Sequence, residues 1–147
     1  MKIGFTGTRN GMTEAQKQQL YKLLSQYSGE FHHGDCVGAD TQAHEIAKEL
    51  GFKLILHPST AITRAWNTGD YENVPAPPLV RNKHIVNETQ FMFATPKEEG
   101  VVSFGGTWHA IRYAARQHRN VFIIWPNGTY IQTKENNPSF LEMVASN

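Results

Sequence analysis

Val121-Phe122-Ile123-Ile124-Trp125 is an unbroken apolar run of five residues, too short for an ordinary helix and apolar on both faces that a strand presents. Such a strand has to be covered on both sides, which is the situation of a parallel sheet between two layers of helix.

Working outward from it, four more extended segments precede this run: 2–6, 30–33, 52–56 and 90–95. Helical patterns separate them. Thr13 followed three residues later by Gln16 can satisfy helix amides reciprocally, so a helix should begin near Thr13. Leu20, Leu23, Leu24 and Tyr27 recur at i, i+3, i+4 and i+7, one stripe of that helix ending before Gly29. Ala43, Ile46, Ala47 and Leu50 repeat the spacing before Gly51, a C-terminal capping residue. Gly105-Gly106-Thr107 leads into a further helix with Trp108, Ile111 and Ala115 inward and Arg112, Arg116 and Arg119 on a solvated face.

Strand and helix alternating with short links predict an α/β, Rossmann-like, doubly wound fold: a mainly parallel five-stranded sheet with helices on both faces. Residues 1–126 form this domain. Residues 127–147 read as a C-terminal tail with a short helix over 140–144. The connection 57–79 is proline-rich, holds Trp66, Asp70 and Tyr71, and is long enough to be a lid, its aromatics either stacking on a ligand or anchoring the segment.

The 147 residues carry 14 Lys and Arg against 13 Asp and Glu, with 39% apolar residues and one cysteine. That composition fits one globular domain, without an internal disulfide. No apolar run approaches the roughly 18 residues of a membrane span, and the N-terminus lacks the pattern of an export signal. No membrane association and a cytoplasmic location are expected. The near-neutral balance removes the bulk attraction behind non-specific nucleic-acid binding and favours a small polar ligand.

In open parallel sheets ligands bind beyond the carboxyl ends of the strands, and four segments there are unusual. Gly7, Thr8 and Arg9 combine a close backbone approach, a hydroxyl donor and a guanidinium for phosphate. Gly34, Asp35, Gly38, Ala39 and Asp40 open the second helix, offering amides to phosphate or ribose and an acceptor, Asp35, for sugar hydroxyls; Asp40 can alternatively cap the helix. Arg81 and Asn82 join a cation and an amide at a helix start. Gly105, Gly106 and Thr107 form a second anion-binding helix start. Neither the dinucleotide-binding nor the P-loop glycine pattern is present.

His32, His33, Asp35, Cys36 and His44 suggest a metal centre, but consecutive strand residues face opposite ways, so no metal and no cofactor are expected. Cys36 reads as structural and His44 as a packing residue.

The order Gly-Thr-Arg, Gly-Asp-x-x-Gly-Ala-Asp-x3-Ala-His, Arg-Asn-Lys and Gly-Gly-Thr resembles the SLOG superfamily, which includes the DNA-processing protein A Rossmann domain and the LOG phosphoribohydrolases. The resemblance spans about residues 1–126 and is greatest to small stand-alone members. It implies a nucleotide or nucleotide-derived ligand held by the four segments above, and a homodimer. In LOG enzymes the glycine motif continues Gly-Thr-x-x-Glu and the glutamate serves N-glycosidic cleavage; this chain has Ala110 there. Cleavage passes through an oxocarbenium-like state that needs a carboxylate, so Asp35 or Asp40 would have to act as the catalytic group. Three readings follow: a nucleotide-binding sensor, carrier or sequestering protein; a nucleoside 5'-monophosphate N-glycosidase; and a single-stranded nucleic-acid binder through Arg81, Lys83 and the loop aromatics.

Overall fold

The computed structural model describes residues 1–61, 64–134, 142 and 144. The chain runs β1 (Lys2–Gly7), α1 (Glu14–Leu24), β2 (Glu30–His33), α2 (Ala39–Glu49), β3 (Lys53–Leu56), β4 (Tyr71–Glu72), α3 (Pro78–Glu88), β5 (Phe91–Thr95), α4 (Gly106–Arg116), β6 (Asn120–Ile124) and β7 (Tyr130–Gln132). These make one seven-stranded sheet of order β4-β3-β2-β1-β5-β6-β7. Every pairing is parallel except β6 with β7.

The sheet therefore holds seven strands rather than the expected five. Both additions are edge strands of two or three residues with exposed or half-buried side chains, too short for any hydrophobic period to announce them. The sheet accordingly extends past residue 126. Of the expected helix over 140–144, only Glu142 and Val144 are described; both are helical, and Val144 is buried. The rest of that segment lies outside the described residues.

The two faces carry separate cores. Leu20, Leu23 and Leu24 of α1 and Ala43 and Ala47 of α2 pack on Phe5, Phe31, Phe93 and Phe122. Ile85 and Val86 of α3 and Trp108, Ile111 and Ala115 of α4 pack on Met92, Ala94, Val121 and Ile123. Adjacent residues of one strand thus serve opposite layers, as the apolar run of β6 requires.

Thr13 caps α1 with the expected reciprocal pair: Gln16 N donates to Thr13 Oγ1 and Thr13 N donates to Gln16 Oε1, each at 3.0 Å. Gln16 is itself buried, and its Nε2 donates to Pro96 O and Ile124 O, both at 2.9 Å. One side chain thereby fixes the start of α1 against the ends of β5 and β6.

The described residues of the 57–79 connection are tied to the edge of the sheet. Asp70 Oδ2 accepts from Leu54 N at 2.7 Å, and Tyr71 and Glu72 pair with Ile55 and Leu56 as β4. Trp66 is 72% exposed beneath the Arg64 guanidinium, 3.9 Å from its carbon to the ring centroid, and Tyr71 is 58% exposed. The segment is an edge of the sheet, held by its own polar side chains.

Candidate functional site

Strand order reverses at β1, whose neighbours are β2 on one side and β5 on the other. A reversal of this kind leaves a crevice at the carboxyl ends, and there the structure has a cavity of about 720 Å3. It brings together Gly7, Thr8, Arg9, Gly34, Asp40, Arg81, Asn82, Gly105, Gly106 and Thr107 from four separate stretches of chain. Phe5, Leu79, Ile85, Phe104 and Trp108 supply apolar wall, and Lys97 and Glu98 stand at its border.

Three of the sequence candidates do not line it. Asp35 is fully buried with a left-handed backbone (φ 55°). Its carboxylate accepts from Arg64 Nε at 2.9 Å and from Asn67 N and Nδ2 at 3.0 and 2.9 Å, and pairs with Arg64 Nη2 at 2.8 Å. It anchors the 64–67 segment rather than facing a ligand. Gly38 and Ala39 lie behind the Thr8-Arg9 loop: Ala39 N already donates to Thr8 O at 3.0 Å. Gly38 has φ 87°, and a Cβ there would fall on the Arg9 carbonyl.

Asp40 is neither a simple cap nor a free acid. The helix N-cap is Gly38, and Asp40 Oδ2 reaches back to accept from Gly34 N and Cys36 N, both at 3.1 Å. Burial pushes its carboxyl up to about 6, against the opposing pull of the Arg81 guanidinium. A cavity-lining carboxyl with that value can hold or release a proton near neutral pH.

Arg81 is 6% exposed and largely committed to the scaffold. Nη1 donates to Gly34 O at 2.8 Å and His57 O at 3.1 Å, and Nε donates to Asn82 Oδ1 at 2.9 Å. Nη2 has only the distant Cys36 sulfur, at 3.8 Å, as a partner among the described residues. The glycine at 34 is what admits this side chain, since a Cβ there would meet the guanidinium. Burial, with the Asp40 charge, raises the Cys36 thiol above its ordinary value, so it rests as a neutral thiol.

Arg9 is exposed and makes no hydrogen bond or ion pair with a described residue, which places a cation at the rim. Across the cavity, α4 begins at Gly105 (φ 97°) with no side-chain cap. Open space surrounds both Gly105 and Gly106 where a Cβ would lie. Uncapped amides at a helix start, with the positive end of the dipole behind them, make an anion site.

Sequence reasoning placed Arg112 on a solvated face; it is 7% exposed. Its Nη1 donates to Val102 O at 2.9 Å and its Nη2 to Ser103 O at 3.2 Å, which fixes the loop that presents Phe104 and Gly105. Nothing local signals this role, because both acceptors are backbone carbonyls. The histidine argument from strand geometry does hold: His32 meets His57, and His33 meets His44 across the other face, each pair nitrogen to nitrogen at 2.9 Å.

No protein-family model matches this chain, and no curated protein matches it in sequence. Two solved structures share its fold. The molybdenum cofactor binding protein of the phototrophic bacterium Rippkaea orientalis is 18% identical with a TM-score of 0.64, over 98% of this chain and 82% of that one. The structural genomics target TM1055 is 13% identical with a TM-score of 0.60, over 82% of this chain and 72% of that one. The likeness is one of fold alone; the described residues of this chain form an α/β, Rossmann-like arrangement with a mostly parallel sheet β4-β3-β2-β1-β5-β6-β7 and helices α1–α4.

Proposed function

We propose that this chain is a SLOG-type protein that binds a nucleotide or nucleotide-derived ligand. The phosphate sits between the Thr8-Arg9 loop and the amides of Gly106 and Thr107, and the heterocycle lies against Phe104 and Leu79. The observation that carries the reading is the start of α4, without a side-chain cap and open at Gly105 and Gly106, facing across a cavity at the switch point an arginine, Arg9, that pairs with no described residue. The cavity is within the range of small-molecule sites, roughly 300–1,000 Å3. The fold neighbour described as a molybdenum cofactor binding protein is named for a small-molecule ligand, which agrees with this use of the architecture.

Thermal unfolding with a panel of nucleoside mono-, di- and triphosphates, cyclic nucleotides and ADP-ribose tests the proposal. A ligand at about a hundred times its Kd adds roughly 2.7 kcal/mol, or about 8 °C at this size. Arg9→Ala, which breaks no hydrogen bond or ion pair with a described residue, should weaken the selected ligand by roughly tenfold or more, the worth of one charged hydrogen bond. No shift with any of them, or undiminished affinity in Arg9→Ala, rejects the phosphate assignment; binding to single-stranded DNA that falls steeply with salt would replace it.

A second reading, N-glycosidic hydrolysis of a nucleoside 5'-monophosphate, is favoured by one feature: Asp40, unlike Asp35, lines the cavity and has a carboxyl at about 6. Release of free base by the wild type but not by Asp40→Asn would select it.

A further inference from the structure

A second convergence of side chains lies away from the cavity, on the α3 face of the sheet. His32 projects from β2, His57 follows β3, and Glu88 is the last residue of α3. Both histidines are 2% exposed. His32 Nδ1 and His57 Nε2 are 2.9 Å apart, and one ligand atom from each histidine and from Glu88 lie within 4.8 Å of one another. The Glu88 carboxylate makes no hydrogen bond or ion pair with a described residue.

The surrounding partners fix which nitrogen is free. His32 Nε2 faces Glu30 Oε1 at 2.9 Å, so it carries the proton and Nδ1 is left as a lone pair. A metal-bound histidine typically has its other ring nitrogen held by a carboxylate in this way. His57 Nδ1 lies 3.2 Å from Asn73 Nδ2, which also donates to Leu56 O at 3.0 Å.

We propose that His32 Nδ1, His57 Nε2 and the Glu88 carboxylate form a binding site for a divalent transition metal of the zinc type, with the fourth position open to water. Two imidazoles and one carboxylate are the donor set that suits zinc and cobalt rather than magnesium or calcium. Two nitrogens on a tetrahedral ion with bonds of about 2.0–2.1 Å stand about 3.3 Å apart, so the pair has to open by about 0.4 Å. Loading moves the His57 proton from Nε2 to Nδ1, leaving the ring neutral, and Asn73 must then offer its Oδ1 to that proton. The site owes nothing to the cavity, and the nucleotide reading stands or falls independently of it.

The test uses untagged full-length protein titrated with Zn2+ and with Co2+. One equivalent should bind, with the intense visible absorption of four-coordinate Co2+. Glu88→Gln, at an exposed position, should lose at least tenfold in Zn2+ affinity while keeping the fold. Asn73→Asp, which gives His57 Nδ1–H an outer carboxylate, should gain about tenfold. Equal Zn2+ affinity in the wild type and Glu88→Gln, or a weak six-coordinate Co2+ spectrum, overturns the proposal; no gain in Asn73→Asp removes His57 Nε2 from the ligand set.

Discussion

Asp40→Asn separates the electrostatic cost of the cavity acid from its hydrogen bonding. Both backbone amides that Asp40 receives, from Gly34 and Cys36, come to one oxygen, Oδ2, so an asparagine carbonyl placed there keeps both. The change removes the ionisation. Asp40 titrates at about 6 in the folded chain against 3.8 for an ordinary aspartate. The native state therefore holds more protons than the unfolded state between those values, and the stability present at low pH is lost as pH rises through about 6. Well above that point ionised Asp40 costs about 3 kcal/mol, from about 1.36 kcal/mol per unit over roughly two units. Between pH 5 and pH 7.5 the wild type loses on the order of 1 kcal/mol through this group. The mutant loses none of it. Urea unfolding of both proteins at the two pH values gives a double difference in which the histidines and exposed carboxylates cancel. Relative to the wild type, Asp40→Asn should be better by on the order of 1 kcal/mol at pH 7.5 than at pH 5. Parallel pH profiles, or an asparagine variant relatively worse at pH 7.5, would refute the argument that burial dominates over Arg81 at this carboxyl.

The remaining expectations concern glycines and the 57–79 segment. Gly106→Ala should keep or raise stability, by up to about 1 kcal/mol, because nothing lies within 4 Å of the added Cβ. Its ligand affinity should nonetheless fall; unfolding and titration of the same variant report the two effects, and unchanged affinity would exclude close approach of a ligand at that amide. Gly34→Ala should instead destabilise, by about 1–3 kcal/mol, since its Cβ meets the Arg81 guanidinium. Arg64→Ala leaves the fully buried Asp35 without its counter-charge and should cost about 3 kcal/mol. Asp35→Asn in the same background should recover part of that loss in a denaturation cycle.

The central strands and the helices that cover them were legible because their signals are periodic and local. Leu20, Leu23 and Leu24, or Trp108, Ile111 and Ala115, each form one buried stripe. Thr13 and Gln16 announce their capping pair by spacing alone. The edge strands were not legible, since Tyr71–Glu72 and Tyr130–Gln132 are two or three residues long, fully bury no side chain and owe their conformation to the neighbours they pair with. In the site, the chain segments that reach the cavity could be read from their place after strands, but the direction of individual side chains could not. Asp35 and Asp40 are alike in sequence terms. A left-handed turn at Asp35 and a partner 29 residues on, Arg64, send one carboxylate away from the crevice, while Asp40 stays at its wall. Arg112 was misplaced for the same reason, its partners being carbonyls of an irregular loop.

Two helix starts at the same edge of the sheet show how differently this chain treats the same physical problem. At α1 every device of local consistency is used: Thr13 caps, Gln16 closes the box, and the glutamine amide is buried against two further carbonyls. That end satisfies the Gln16 amide and the Thr13 amide reciprocally from its own side chains. At α4 there is no side-chain cap, Gly105 and Gly106 open the helix with no steric reason for a glycine at Gly106, and the amides open on a cavity whose opposite rim carries an arginine that pairs with no described residue. Close by, a carboxyl is held ionised at neutral pH against the cost of its burial. Departures from local consistency gather where a fold serves something other than its own stability. In this chain the open start of α4 and the buried Asp40 carboxyl lie at one crevice, at the point where strand order reverses, and a bound anion is the group that would complete the amides left open there.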